Sequence, residues 1–363
     1  MAAFGCHSSS VRRRPLVIML HVGLDLSRHR LDVHVLDPGG STVAQLAVAP
    51  HGEELRRLAA RFNRKGPVRA VIESMNGARF IHDTLEMAGW DVLIADAYKA
   101  KGIAPLACKT DKVDALVLAE LSRRDLVPAI WLPTPEVRGE RERIRYRAHL
   151  VKHRSMLKCR IHATLLAFGL PNDYSDLFAG GGRAYLDELV FPTPWRDNVN
   201  AARTLIDELT SQIKAIDRDL NLIAARHPYV KLLVTAPGIG PVLGYSIASE
   251  IGDITRFPTP TQLVGYSGLC PKVYQSGQTD RRGALAKNGP RYLRWALMEA
   301  AIHAAAHPAY RDRYLRTRSR LGRYRGSKTA RVDVARRLAH ATWHMLTKGE
   351  PFAPAGATCV LTP

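Results

Sequence analysis

Cysteine is scarce and scattered in this chain of 363 residues: Cys6, Cys108, Cys159, Cys270 and Cys359 form no Cys-x-x-Cys pair and have no histidine at zinc spacing. That excludes a disulfide framework and a zinc site, and it fits a reducing, cytoplasmic setting. Long apolar runs are missing as well, since none approaches the roughly 20 residues a membrane span needs. Arg12, Arg13 and Arg14 precede the apolar stretch Pro15 to Leu24 in the manner of a secretory signal. The stretch is short, lacks a small-residue cleavage site and runs straight into Asp25, so it is read as a first β-strand behind a disordered leader, with Met19 an alternative start. Acid is in deficit, at 33 Asp and Glu against 53 Lys and Arg, a net charge of +20. Such a balance predicts affinity for nucleic acid or another polyanion. Lysine supplies only 13 of the 53 cations, so arginine-rich coding accounts for part of the excess. Clustering argues for more: Arg138 to Arg160 holds nine Lys and Arg against two Glu, and Arg311 to Arg337 holds eleven against two Asp. A solvated helix face is the plainer reading of such runs, and a phosphate-binding face the functional one.

The length favours two domains with a connecting segment, and no tandem repeat is present. Hydrophobic residues make up 46% and mean hydropathy is -0.15, as in globular proteins. Strands are predicted over Leu16 to Leu26, Arg30 to Leu36 and Thr42 to Val48, the second alternating clearly at Leu31, Val33 and Val35. A helix over Glu53 to Phe62, a strand over Val68 to Ile72 that ends at Glu73, a helix over Ala78 to Ala88 and a strand over Val92 to Ala95 follow. That order is the order of an α/β RNase H-like fold. Val113, Leu116, Val117 and Leu121 give Asp111 to Ser122 helical spacing and put Asp111 and Asp114 on one face. Pro128, Pro133 and Pro135 mark the end of the first domain.

Beyond them the pattern predicts a long basic helix from Arg138 to Phe168 and another from Ala201 to Arg226, the latter with Ile206, Leu209, Ile213, Ile216 and Leu220 near heptad spacing, so that the two pair as a coiled-coil arm. Gly180, Gly181 and Gly182 between them lack the Lys-Ser/Thr of a nucleotide-phosphate loop and are read as a flexible connector. Gly238 and Gly240 open a helix over Pro241 to Ile251. Their backbone N–H groups suit a phosphate, as in half of a helix-hairpin-helix, or simply form a tight turn.

Asp25, Glu73, Asp111 and Asp114 are the acids of interest. Carboxylates gathered in a strongly basic chain repel one another unless cations fill the cluster, which suggests a metal site presented to a polyanion. Singly, Asp25 reads more readily as a turn residue, and Asp111 and Asp114 read equally as a helix cap and a solvated neighbour. Taken together, Val22-Gly-Leu-Asp-Leu-Ser27, Val71-Ile-Glu-Ser74 and Lys109-Thr-Asp-Lys-Val-Asp-Ala115 resemble the RuvC-like acidic tetrad of the IS one-ten family of insertion-sequence transposases. Gly238-Ile-Gly240, Glu250-Ile-Gly-Asp253, Arg256-Phe257, Gly268-Leu-Cys-Pro271, Gln275-Ser-Gly277, Lys287-Asn-Gly289 and Leu293-Arg294 resemble, in order and spacing, that family's second domain. Ser-Met-Asn-Gly after Glu73 departs from relatives that carry Thr just before the Gly, and the leader matches nothing.

The expected division is a disordered leader at 1–15, a RuvC-like DEDD domain at 16–130, a helical coiled-coil linker at 131–230, a mainly α serine transposase domain with a helix-hairpin-helix-like element at 231–350 and a tail at 351–363, the two named domains being what the resemblance implies. The resemblance also implies that Asp25, Glu73, Asp111 and Asp114 bind Mg²⁺ and that Ser276 attacks a DNA phosphodiester. Hard carboxylate oxygens suit Mg²⁺, and a phosphoserine conserves the energy of the cut bond for rejoining. Without the resemblance Ser276 would be an ordinary loop serine. Arg281, Arg282, Lys287, Arg291 and Arg294 flank it as phosphate contacts, Pro290 is placed to start the following helix, and Tyr274 and Tyr292 are candidates to stack on bases or to pack. The family also implies composite sites in a homodimer or homotetramer and, in some members, a structured guide RNA from the element. The expected activity is therefore DNA transposition. Its rivals are a RuvC-like nuclease or junction resolvase using activated water, a sugar-kinase or actin-like ATPase, and a noncatalytic nucleic-acid-binding protein. The ATPase would need a second Asp-Gly-Gly motif, which is not seen.

Overall fold

The computed structural model describes residues 19–103, 111–277 and 279–354. The leader assigned to 1–15, the first residues of the strand expected from Leu16 and most of the tail lie outside the described residues. The chain forms two compact units that divide between Leu132 and Pro133.

The first unit opens with three antiparallel strands, β1 (Leu20–Leu26), β2 (Leu31–Leu36) and β3 (Thr42–Val48). Helix α1 (Gly52–Asn63), strand β4 (Val68–Glu73), helix α2 (Ala78–Met87), strand β5 (Asp91–Ala95) and helices α3 (Ala97–Ile103) and α4 (Asp111–Arg123) complete it. The sheet order is β3-β2-β1-β4-β5, with β1, β4 and β5 parallel. Alternation divides the strand residues between two faces. Leu20, Val22, Leu24, Leu31, Val33, Val35, Ala70, Ile72, Val92 and Ile94 point to one side, where Leu55, Leu58 and Phe62 of α1 and Ile81 and Leu85 of α2 close a continuous core. The other face carries Gly23, Asp25, Val71, Glu73 and Ala95, and α4 lies on it through Leu118.

The second unit is mostly helical: α5 (Pro135–Ala167), α6 (Gly180–Glu188), α7 (Trp195–Arg226), α8 (Pro228–Leu233), α9 (Pro241–Ile251), α10 (Pro260–Tyr266), α11 (Arg291–Ala304), α12 (Pro308–Leu321) and α13 (Arg323–Lys348). Between α10 and α11 stands a two-stranded antiparallel hairpin, β6 (Pro271–Ser276) and β7 (Thr279–Leu285). The α5 helix begins three residues before the expected Arg138. Pro135 starts the helix where it was read as breaking the pattern: at the first position its fixed φ is helical and its missing N–H costs nothing, and the Thr134 hydroxyl accepts from the Val137 N–H.

The α5 and α7 helices pair antiparallel, with Arg147 bound to Asp217 near one end and Ile161 and Leu165 packed with Ala202 and Ile206 at the other. Of the five near-heptad positions Ile206, Ile213 and Leu220, seven residues apart, are buried, while Leu209 and Ile216 are partly so. The pair is no free arm. Ile144, Leu220 and Ala224 join the core built on α9, α11 and α13, so the stretch expected as a linker folds largely into the same unit as residues 231–350. Gly180–Gly182 is likewise no connector: it opens α6, whose Leu186 is fully buried beside Leu177 and Phe191.

Candidate functional site

The carboxylate site is assembled by strand register. In the parallel pair Leu24 aligns with Ile72, so the next step places Asp25 beside Glu73 on neighbouring strands and on the same face. Both residues are half-buried at the carboxyl ends of β1 and β4. Gly23 decides how the covering helix sits. A Cβ there would fall 1.8 Å from the Ala115 carbonyl oxygen and 2.6 Å from the Ala119 amide nitrogen, so α4 rests backbone to backbone on β1. Farther along α4, the Ser122 hydroxyl is 3.0 Å from His21 Nδ1, and Arg123 lies against Gly40 in the β2–β3 turn. The helix therefore runs against the direction of β1. Its first turn, which begins at Asp111 and contains half-buried Asp114, is directed toward the ends of the strands that carry Asp25 and Glu73.

This arrangement joins three elements at one edge, and it suits hard cations. The candidate residues are carboxylates without Cys or His, a set that would favour Mg²⁺ or Mn²⁺ over zinc. The partial positive charge at the α4 N-terminus offsets only part of their repulsion. Among the described residues no three acidic, His or Cys side chains are already gathered closely enough to hold a metal; the Asp111 side chain lies outside the described residues.

Sequence reasoning missed one carboxylate. Asp32 stands directly across the antiparallel ladder from Asp25 and is 4% exposed. Arg30 binds both its oxygens at 2.8 Å, which supplies the counter-charge it needs when buried. The signal was available: the short turn after Leu26 pairs it with Leu31, and one further step pairs Asp25 with Asp32. Two imidazoles occupy the same face. Burial pushes His21 below its ordinary pKa, helped by Arg69 and Arg123, and burial also lowers His34.

The second unit holds Ser276 at the end of β6, exposed and paired with Thr279 across the hairpin tip. Its surroundings sort the flanking cations. Arg281 is exposed and pairs with Tyr274, itself 60% exposed. Arg282 is exposed and reaches Asp280 at 3.3 Å. Lys287 is exposed with φ 56°, an uncommon backbone state for a lysine. Arg291 lies 4.7 Å from the Tyr292 ring centre, which Arg145 approaches at 5.5 Å, so half-buried Tyr292 packs while Tyr274 stays open. Arg294 is part-buried and reaches the Ser267 carbonyl at 3.4 Å. Pro290 caps α11 as expected.

Two further motif residues have structural explanations. A Cβ on Gly238 would come 2.3 Å from the Ala300 carbonyl oxygen, so this glycine admits α11, whereas Gly240, the cap of α9, has no such neighbour. Glu250, fully buried, receives both Arg145 nitrogens at 2.8 and 3.0 Å. Arg141 adds bonds to the Ser249 and Glu250 carbonyls. Together these bonds pin α5 to the end of α9.

Each of the two units also matches a family of known proteins. Residues 22–169 match the sequence model of the DEDD transposases of IS110 elements. Residues 230–316 match the model described as Transposase IS116/IS110/IS902 family. A probable family 20 transposase of Pseudomonas aeruginosa is 24% identical over 92% of this chain and 98% of its own. The transposase for insertion sequence element IS1111A of Coxiella burnetii is 27% identical over 78% of each chain. The transposase for insertion sequence element IS1328 of Yersinia enterocolitica is 23% identical over 92% of this chain and 98% of its own. With two ordered family segments covering more than half of its length and relatives matched nearly end to end, the chain belongs to the IS110/IS116 family of transposases, enzymes that cleave and recombine DNA.

Proposed function

We propose that this transposase excises and inserts its own insertion element by divalent-metal-assisted strand exchange through a covalent bond at Ser276. The observation that supports the metal half is the parallel register of β1 and β4, which ends at Leu24 opposite Ile72 just before Asp25 and Glu73, with α4 resting on Gly23 of the same face. The strand order and directions support an RNase H-like, RuvC-like domain. Asp25, Glu73, Asp111 and Asp114 are the residues that would hold Mg²⁺. When bound, the ion would neutralise phosphate oxygens and stabilise the charge on the entering and leaving oxygens. The serine half rests on an exposed serine at the end of β6, with cations on the same ribbon. In that step the Ser276 oxygen forms a bond to phosphorus and the bond from phosphorus to the departing strand's sugar oxygen breaks. The serine gives up its proton to a carboxylate or water, and the departing oxygen takes one up. Attack by a new strand's hydroxyl reverses the exchange, so rejoining requires no ATP.

An in vitro recombination assay with Mg²⁺ tests both halves. Wild type should leave a protein-DNA adduct, Ser276→Ala should lose it, and Asp25→Asn should lose strand cleavage while keeping DNA binding. A RuvC-like nuclease using activated water is the second reading, favoured by the carboxylates lying within one compact unit. It predicts that Ser276→Ala still cuts. The same proposal includes a homodimer or homotetramer, cytoplasmic action on element and target DNA, and a structured guide RNA held by basic helices such as α5. Light scattering tests the assembly. Sequencing RNA co-purified from cells carrying the whole element tests the guide, and random fragments alone would count against it.

A further inference from the structure

The runs of charge on α13 have a use that the motif residues do not absorb. Arg325, Lys328, Thr329, Val332 and Arg336 recur at helical spacing and share one face. That face and the hairpin base, Arg282 to Leu285 of β7 with Pro271 of β6, form the two walls of a groove of about 590 Å³. Four of the lining residues are cations and none is acidic. Arg336 is committed to the fold, its Nε donating to the Leu269 carbonyl at 2.8 Å. Arg282, Arg325 and Lys328 are exposed. At the start of α13, Tyr324 is 78% exposed, and the Lys328 ammonium donates to its hydroxyl at 2.9 Å and sits 4.3 Å from its ring centre. A trough lined by four cations and no acid, of which Arg282 reaches Asp280 just outside it, beside an open aromatic ring is the combination that follows a single strand, with phosphates in the trough and a base on the ring.

We propose that the groove between β7 and α13 is a strand-holding site, in which Arg325 and Lys328 bind the sugar-phosphate backbone of a single DNA strand and Tyr324 stacks on one of its bases. The inference rests on the reading of Ser276 as the attacking group, because the groove lies at the base of the hairpin whose tip carries that serine. Its physical benefit is orientation: a strand fixed a few nucleotides from the hydroxyl presents its phosphate in a limited range of positions.

The test is the binding of a single-stranded DNA oligonucleotide, followed by fluorescence anisotropy across a salt series with the full-length protein. Arg325→Ala with Lys328→Ala should weaken binding about tenfold and reduce the salt slope by about 1.4, two contacts at about 0.7 each. Lys214→Ala with Arg218→Ala, which removes the same charge from exposed positions on α7, should do much less. Arg325→Lys with Lys328→Arg keeps both charges and should restore the slope. Tyr324→Ala should weaken binding without changing the slope. Unchanged affinity and slope in the groove variant, an equal loss in the α7 variant, or tighter binding of RNA than of DNA of the same sequence would each overturn the proposal. Ser276→Ala should bind the oligonucleotide as wild type does, so loss of the groove's function and loss of the serine's function are read separately.

Discussion

Gly23 shows how one missing side chain builds a site. With α4 resting on its backbone, Gly23→Ala drives a methyl into the Ala115 carbonyl. The cost should be about 1–3 kcal/mol, read as a lower midpoint in urea unfolding. Cleavage should fall too, because the helix bearing Asp111 and Asp114 must lift from the sheet. The two imidazoles on that face give a pH signature. His21 and His34 are held neutral in the fold with lowered pKa values, so near pH 6.5 the unfolded chain binds more protons than the folded one. Stability is therefore full above about pH 6.5 and falls as pH drops through that value. Burial beside Arg337 and His344 lowers His340 in the same direction. Urea midpoints between pH 5 and 8 should show the decline, and His21→Gln with His34→Gln should flatten it. An unchanged slope in that variant would remove these residues from the account. The ordinary pKa of about 6.5 and not the lowered value sets the upper edge of the window.

At the scale of elements, the attachment of α5 to α9 depends on a charge buried at 0% exposure. Glu250→Ala would leave Arg141 and Arg145 without their carboxylate, and breaking such a pair costs about 3–5 kcal/mol. Thermal unfolding should report the loss, and replacing Arg145 as well should recover part of it, since the stranded cation is then gone. The sequence presented Glu250 only as part of a motif; burial, which depends on helices distant in the chain, is what makes it structural. The start of α5 was misjudged for a related reason: Pro135 is a stop signal inside a helix and a start signal at its first position. The β6–β7 hairpin was not foreseen at all. Its strands are almost wholly exposed, so they show no apolar alternation of the kind that reveals a strand packed on a core.

For the whole molecule, a net charge of +20 makes DNA affinity fall steeply with salt, which an anisotropy titration would show. Chelating divalent ions should stop strand cleavage and leave most of that binding intact, since phosphate contacts come from Lys and Arg. Cleavage that persists under chelation would remove the metal from the reaction, and DNA binding without cleavage in any divalent ion would favour the noncatalytic reading.

Periodicity along the chain was enough to place the five strands of the first unit and helices α1, α2 and α4 in order, because elements with one face on a core carry periods of two and 3.6 that no partner needs to supply, whereas the short helix α3 (Ala97–Ile103) gave no such signal. Ordered motifs made Asp25, Glu73, Asp111, Asp114 and Ser276 the candidates for the proposed chemistry. The fold was needed to show that β1 and β4 run in parallel register up to Leu24 and Ile72, one residue short of Asp25 and Glu73, that Asp32 lies across from Asp25 with Arg30 as its counter-charge, that α4 runs against β1 on Gly23, and that α13 and β7 enclose a cationic groove. Those facts depend on register and on close approach between segments far apart in the chain. They follow from how the whole chain packs, which no local window of residues encodes.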